Sequence, residues 1–434
     1  MDITLVSLVL LVVLLLLLTT GVWVALSLLG VGLIGMVTFT SAPAGKVMAT
    51  TIWGASGSWA LTALPLFIWM AEILFRTRLS DDIFSGLAPW LTRLPGRLMH
   101  VNILGCGMFA AVCGSTSATC ATIAKISLPE LKRRGYDEQM IVGTLASSGT
   151  LGILIPPSIM MIVYGFVAEV SIARLFIAGF IPGLMMVVIF MAYVVGWAWL
   201  YPEKTPPSDI RMTWGERLYA SRRLIPVVAL IALVIGSIYS GVVTPTEAAT
   251  VGVLGALALS FLYGSLTWAN FVESLEGATR TSCMIAFILA GAAFMTMAMG
   301  YTGIPRVMAQ WIASFHLSAW GLLSALTVLY VILGFALDGI SMVVLTSAVV
   351  QPMIRQTGID PVWFGIYIVL MVQVAELTPP VGFPMFVLQM FTGRSLLYVS
   401  RAALPFFFLL LLGTAIITVF PALVTYLPDK MLNR

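Results

Sequence analysis

Apolar stretches separated by short polar interruptions run through the whole chain. Those of about 17 residues or more read as membrane-crossing helices. From the N-terminus they fall at 3–20, 22–39 and 59–75, the last ending at Arg76 and Arg78, with a Gly/Ser/Thr/Trp segment at 40–58. Residues 81–94 read as an amphipathic surface helix, with Ile83, Phe84, Leu87, Trp90, Leu91 and Leu94 near one face. The apolar pattern then enters at 97–112, meets a polar tip at 114–119 and leaves at 121–131. A span at 138–165 is broken near 147–157, a crossing at 175–199 follows, and 201–223 is a hydrophilic loop with Pro202, Pro206 and Pro207. The order then recurs. Spans at 224–243 and 247–262 precede a surface segment at 266–280 and a span at 281–300. An arm at 322–337, a tip at 338–341 and an arm at 343–354 lead to a span at 361–390, broken at 376–382, and a last crossing at 404–427.

The arms around the two tips are only about 11 to 16 residues long, whereas a crossing helix needs roughly 20. They therefore read as re-entrant hairpins that return to the side they came from. Arg93 and Arg97 stand at one end of the first hairpin and Lys132, Arg133 and Arg134 at the other, which places both ends in the cytoplasm. Breaks rich in Gly, Ser, Thr and Pro at membrane depth are tolerated only where protein or water satisfies the freed backbone groups. They are pointers to an ion or substrate site.

A shift of 223 positions, with no gap, carries Pro129, Gly135, Asp137, Pro156, Pro157 and Pro182 onto Pro352, Gly358, Asp360, Pro379, Pro380 and Pro405. The chain thus reads as two repeats. The first is 1–200, with its hairpin at about 97–134 and its broken helix at about 138–165. A cytoplasmic linker at 201–223 leads to the second repeat at 224–434, with a hairpin at about 322–357 and a broken helix at about 361–390. Each repeat holds five crossings and one non-crossing hairpin. Five is odd, so the second repeat is inverted relative to the first. The charges agree, because placing 76–97, 132–138, 201–223, 264–280 and 391–401 inside puts 15 of the 22 Lys and Arg there. The expected fold class is an all-α polytopic membrane protein of two inverted-topology repeats.

Composition narrows the function. Of 434 residues, 60% are apolar and 9% charged, against about 25% charged in soluble domains. The net charge of +4 gives no reason to expect nucleic acid. Residues 1–20 lack a basic start and a small-residue cleavage site, so they read as a retained helix. There is no His-Glu-x-x-His, Gly-x-Ser-x-Gly or Walker A pattern, so neither an enzyme nor an ATP-driven pump is expected. Cys106, Cys113 and Cys120 recur at intervals of seven, but Gly114-Ser-Thr-Ser117 interrupts the helix and no metal site is expected; they and Cys283 read as packing thiols.

The breaks supply the chemistry. A dehydrated small cation needs about five or six oxygens, which broken helices offer as carbonyls and hydroxyls. The first tip and break offer Ser115, Thr116, Ser117, Ser147, Ser148, Gly149 and Thr150. The second pair offers Asp338, Gly339, Thr378 and the carbonyls around Pro379. Two similar cation sites are expected, one per repeat. An anionic solute would sit between the tips, held by Ser117, Thr119, Ser158, Ser341 and Gly382. Small residues that merely let helices pack closely are the competing explanation; their recurrence in register with the same Pro-Pro favours sites. Asp338 is the first candidate ligand at depth and Glu376 the second. Glu72 pairs with Arg76 one turn on, Lys125 snorkels or touches solute, and His100 and His316 have no role. Trp53, Trp59, Trp69, Trp90, Trp311, Trp320 and Trp363 read as interfacial anchors.

Gly114-Ser-Thr-Ser-Ala-Thr119, Pro129, Gly135-Tyr-Asp137 and Gly152-Ile-Leu-Ile-Pro-Pro-Ser158 resemble the large membrane subunit of the tripartite ATP-independent periplasmic (TRAP) transporters. Thr244-Pro-Thr-Glu-Ala-Ala249 and Glu376-Leu-Thr-Pro-Pro-Val-Gly382 fit as well, and the likeness runs over essentially the whole chain. The resemblance implies an elevator transporter in the bacterial inner membrane, with a scaffold and a mobile domain of two hairpins and two broken helices. It implies Na+ as coupling ion, no other cofactor, and cation positions at Ser115–Ser117 with Gly149–Thr150 and at Asp338–Gly339 with Thr378–Pro380. It further implies a periplasmic solute-binding protein that delivers a small organic acid, and a small four-helix membrane subunit on a separate polypeptide. The alternatives are a stand-alone divalent-anion or arsenite-type transporter of the same superfamily and a non-transporting scaffold subunit.

Overall fold

The computed structural model describes residues 3–206, 212–305, 307, 318–379 and 382–432. Among the sequence expectations, Pro207, Trp311, His316 and Pro380 lie outside the described residues. The described chain is all-helical, as expected. Five helices are long and apolar enough to cross a membrane: Ile172–Leu200, Trp214–Tyr239, Pro245–Leu262, Trp268–Thr302 and Leu396–Val419. Ala44–Ser56 and Trp59–Phe75, bent by 52° against each other, would make a sixth.

The repeated residues have matching structural duties. The first hairpin consists of Met99–Cys113 and Thr116–Arg133, and the second of Ala319–Leu333 and Gly339–Gln356. Thr116–Arg133 and Gly339–Gln356 are both 18 residues long and start and stop 223 positions apart. Pro129 and Pro352 lie inside them. Gly135 and Gly358 follow them with φ of 79° and 72°, the left-handed turn that leads out of each arm. Asp137 and Asp360 then cap the broken helices: Met140 N–H donates to Asp137 at 2.9 Å, and Val362 N–H to Asp360 at 2.7 Å.

These broken helices form the centre. The first is Glu138–Thr150 with Ile159–Val167, the second Pro361–Glu376 with Phe383–Thr392. Residues 140–154 and 362–378 are buried without exception. Lipid is as apolar as a leucine, so close packing rather than the hydrophobic effect joins such helices. Gly143 shows how close: a Cβ there would lie 2.3 Å from the Ala402 carbonyl oxygen on Leu396–Val419.

Several expectations are corrected. The Gly/Ser/Thr/Trp segment at 40–58, to which the sequence pattern assigns no element, carries the helix Ala44–Ser56, half-exposed along its length, with Trp53 82% exposed. The surface segment at 266–280 and the span at 281–300 are one helix, Trp268–Thr302. The loop at 201–223 contains the helix Trp214–Ser221, started by a capping box between Thr213 and Glu216. The second hairpin arms are longer than the expected 11 to 16 residues. Trp363 is not an anchor at a surface: it is buried, stacks on Tyr367 and donates Nε1–H to the Ile417 carbonyl at 3.1 Å. Trp69 likewise donates to Ser274 Oγ. Cys106, Cys113 and Cys120 are buried thiols, whereas Cys283 is exposed.

Candidate functional site

Each hairpin tip rests on the break of its own half. In the first, Cys113 ends one arm, Gly114 turns with φ 65°, Ser115 is extended, and Thr116 opens the next arm. The non-helical tip is therefore two residues, shorter than the expected 114–119, and Thr116, Ser117 and Thr119 are helical. The Ile159 N–H donates to the Gly114 carbonyl at 3.4 Å. Glu138–Thr150 runs into a 3-10 turn, Leu151–Ile153, where Gly152 meets the tip so closely that a Cβ would lie 2.6 Å from the Ser115 carbonyl oxygen and 3.0 Å from Thr119 Oγ1. Ser147 to Thr150 stand on the helix just before this turn rather than in the break.

The second half is built alike. Asp338 caps Gly339–Gln356: Oδ2 accepts from Ile340 N–H at 3.1 Å and Ser341 N–H at 3.2 Å, and Oδ1 accepts from the Ser341 hydroxyl. A Cβ at Gly334 would lie 2.6 Å from Ala375 Cβ and 3.0 Å from Thr378 Oγ1, so this turn presses on the second break. Thr378 Oγ1 donates to the Ala375 carbonyl at 2.6 Å. Gly382 lies against the Glu376 carbonyl oxygen, and Pro379 between them is half-buried.

The two halves also touch. Thr116 Oγ1 donates to Glu376 Oε1 at 3.3 Å, so a residue of the first tip reaches the second break. Gln373 Nε2–H donates to the Thr150 carbonyl at 2.8 Å. Cys120 Sγ lies 3.9 Å from the Pro384 carbonyl oxygen. The first tip and break are therefore in direct contact with the second break.

Buried polar atoms without a partner show where a ligand would be welcome. Among the described residues these include Thr119 Oγ1, Thr122 Oγ1, Ser148 Oγ, Gln373 Oε1 and Glu376 Oε2. Ser115 and Ser117 have hydroxyls 3.3 Å apart. Other expected ligands are already engaged. Thr150 Oγ1 donates to the Ser147 carbonyl, and Ser158 caps Ile159–Val167 by accepting from Met161 N–H. Sequence reasoning gave Gln373 no role, although it stands 223 positions after Thr150. It noted Glu376 without its partner, because nothing in sequence pairs residues 260 apart.

Charge is kept at the base. Glu138 binds Lys132 at 2.7 Å and Arg394, from the end of the second broken helix, at 2.7 Å. The Arg394 hydrogen bond, with help from Lys132, holds the Glu138 carboxyl below its ordinary value; burial opposes them, more strongly than the Lys132 hydrogen bond alone acts. Glu130 binds Arg133 and Arg134 at 2.8 and 2.7 Å. Glu72 pairs with Arg76 as expected. Lys125 is exposed and makes no ion pair among the described residues.

The family model for the DctM component of the tripartite ATP-independent periplasmic transporters matches residues 11–423. The C4-dicarboxylate TRAP transporter large permease protein DctM of Pseudomonas aeruginosa is 32% identical over 387 residues, covering 88% of this chain and 90% of the relative. The ectoine TRAP transporter large permease protein TeaC of Halomonas elongata is 31% identical, covering 85% and 86%. The relatives are thus transporter permeases, not enzymes. In fold, the chain is similar to the crystal structure of the Alcanivorax borkumensis YdaH transporter, with TM-score 0.66, 12% identity and coverage of 92% of this chain and 97% of that one.

Proposed function

The chain belongs to the DctM component family of the tripartite ATP-independent periplasmic transporters, and on that premise we propose that it takes up a small organic acid in symport with Na+. The acid is delivered by a periplasmic binding protein, and a small four-helix membrane subunit completes the complex in the bacterial inner membrane. The observation that carries the site is that each hairpin tip is seated on a break, with the Thr116–Glu376 contact joining the two pairs.

In this reading Ser115, Thr116, Ser117, Gly149 and Thr150 surround one Na+, and Asp338, Gly339, Thr378 and Pro379 the other. Hydroxyls and carbonyls suit a hard monovalent ion. The orphaned Thr119 and Ser148 hydroxyls add oxygens at the first pair. Ser117, Thr119, Ser158, Ser341 and Gly382 border the solute. The matched helix bounds and caps support two repeats at 1–200 and 224–434, inverted about the 201–223 linker. Hairpins and broken helices move together as an elevator against the remaining helices. The names of the relatives include C4-dicarboxylate and ectoine transporters.

The partners are tested by reconstituting the chain with the binding protein and the small subunit encoded beside it, then omitting each. Uptake that needs both supports the reading; uptake by the chain alone contradicts it. Paired cysteines that lock Gly339–Gln356 to Trp268–Thr302, which pack against each other, should abolish uptake, and full-rate uptake by the crosslinked protein would sink the elevator.

A further inference from the structure

Resting on the transport reading above, we propose that Glu376 sets the charge class of the cargo: the solute carries a cationic nitrogen beside its carboxylate, as in an amino acid or a betaine, and dicarboxylates are disfavoured.

Glu376 is 8% exposed and stands between the two hairpin tips. Its Oε1 accepts from Thr116 Oγ1 at 3.3 Å and would be 3.7 Å from a Cβ at Gly339. Its Oε2 is buried and has no partner. No Lys, Arg or His pairs with it among the described residues. The groups that face it are Thr116 and Cys120 from the first hairpin and Asp338 and Gly339 from the second. Asp338 is the only other charged group among them.

The charge balance follows. A buried charge needs a counter-charge, because water no longer solvates it. In a count of charges, two coupling cations would balance the two carboxylates of Asp338 and Glu376 and leave nothing to offset a dianion. A solute with one carboxylate and one ammonium adds no net charge. Its ammonium finds Glu376 Oε2. Its carboxylate finds the N-terminus of Thr116–Arg133, where Ser115 makes no side-chain cap, so the first N–H groups of that helix stay available. The corresponding end of Gly339–Gln356 is already occupied by the Asp338 carboxylate. The two tips therefore present opposite faces to a solute: open donors on one side, carboxylates on the other.

The test is thermal unfolding of the purified complex of the large and small subunits, in Na+ and in choline. It is titrated with 4-aminobutyrate, proline and glycine betaine on one side and succinate, malate and fumarate on the other. The succinate and 4-aminobutyrate pair matches length and differs in charge. The expected result is stabilisation by at least one zwitterion at a half-maximal concentration at least about tenfold below that of any dicarboxylate. Glu376→Gln, which keeps the acceptor for Thr116, should narrow that ratio. A dicarboxylate that stabilises the wild-type complex as well as any zwitterion overturns the proposal. So does stabilisation by neither class, or a ratio unchanged in Glu376→Gln. Zwitterion binding that is equal in Na+ and choline leaves the charge class standing and contradicts Na+ coupling instead, so the two failures separate.

Discussion

Gln373 donates its side-chain amide to the backbone carbonyl of Thr150 at 2.8 Å, and the two residues stand 223 positions apart, the same interval that separates the repeated prolines. A residue and its image under a two-fold axis meet only close to that axis. In the proposed inverted-repeat arrangement this bond would lie close to the axis that relates the two halves. Gln373→Leu removes the donor and leaves a buried carbonyl unpaired, at a cost of about 1–3 kcal/mol. The expected outcome is a lowered apparent unfolding temperature of the detergent-purified protein. An unchanged temperature would show that the contact does not join the halves.

Asp338 has two duties, capping Gly339–Gln356 and supplying charge at the second tip. Asn caps about as well as Asp, so Asp338→Asn separates them. The helix should remain stable while the Na+ concentration for half-maximal uptake rises by about tenfold or more, the loss of one charged ligand being worth upwards of about 1.4 kcal/mol. Unfolding temperature and Na+ titration of uptake, read together, check this. An unaltered Na+ titration removes Asp338 from the cation site.

Gly152 has no room for a side chain beside the Ser115 carbonyl. Gly152→Ala must push the first tip off the first break, an overpacking cost of about 1–3 kcal/mol. Uptake should fall much further than the folded fraction does. Wild-type uptake from the alanine variant would mean that the tip need not be seated there.

The Glu138 cluster ties the bases of the two broken helices together. Its carboxyl is held below the ordinary value of 4.5, first by Arg394. A carboxyl depressed on folding contributes stability that is fully present above its unfolded value and is lost as pH falls through the folded one. Partial exposure limits the contribution to roughly 0.2–1 kcal/mol. Glu138→Gln should therefore unfold at a lower temperature than wild type at pH 7, with the gap closing below about pH 4.5. A gap that persists into acid would assign the effect to packing.

Much of this was legible in the sequence, for identifiable reasons. Proline and glycine are local punctuation, so Pro129, Gly135 and Asp137 and their images marked the repeat, while their duties as arm, left-handed turn and helix cap came only with the structure. The helical bounds at the tips were less legible. Thr116 to Thr119 look like a polar loop because hydroxyls are polar, yet Ser115 is extended and the helix begins directly after it. Ala44–Ser56 was hidden by its Gly, Ser and Thr content. Arg280 looked like a boundary but sits on the exposed side of a 35-residue helix. Contacts such as Thr116 with Glu376 belong to packing, which periodicity does not encode.

The most direct test of the account is solute uptake into proteoliposomes holding the complete complex and the binding protein, with an inward Na+ gradient and then with Na+ equal on both sides. The account predicts accumulation against the solute gradient only when Na+ flows inward, and its loss on dissipating that gradient. Accumulation that is indifferent to Na+ would contradict ion coupling at the paired hairpins and breaks.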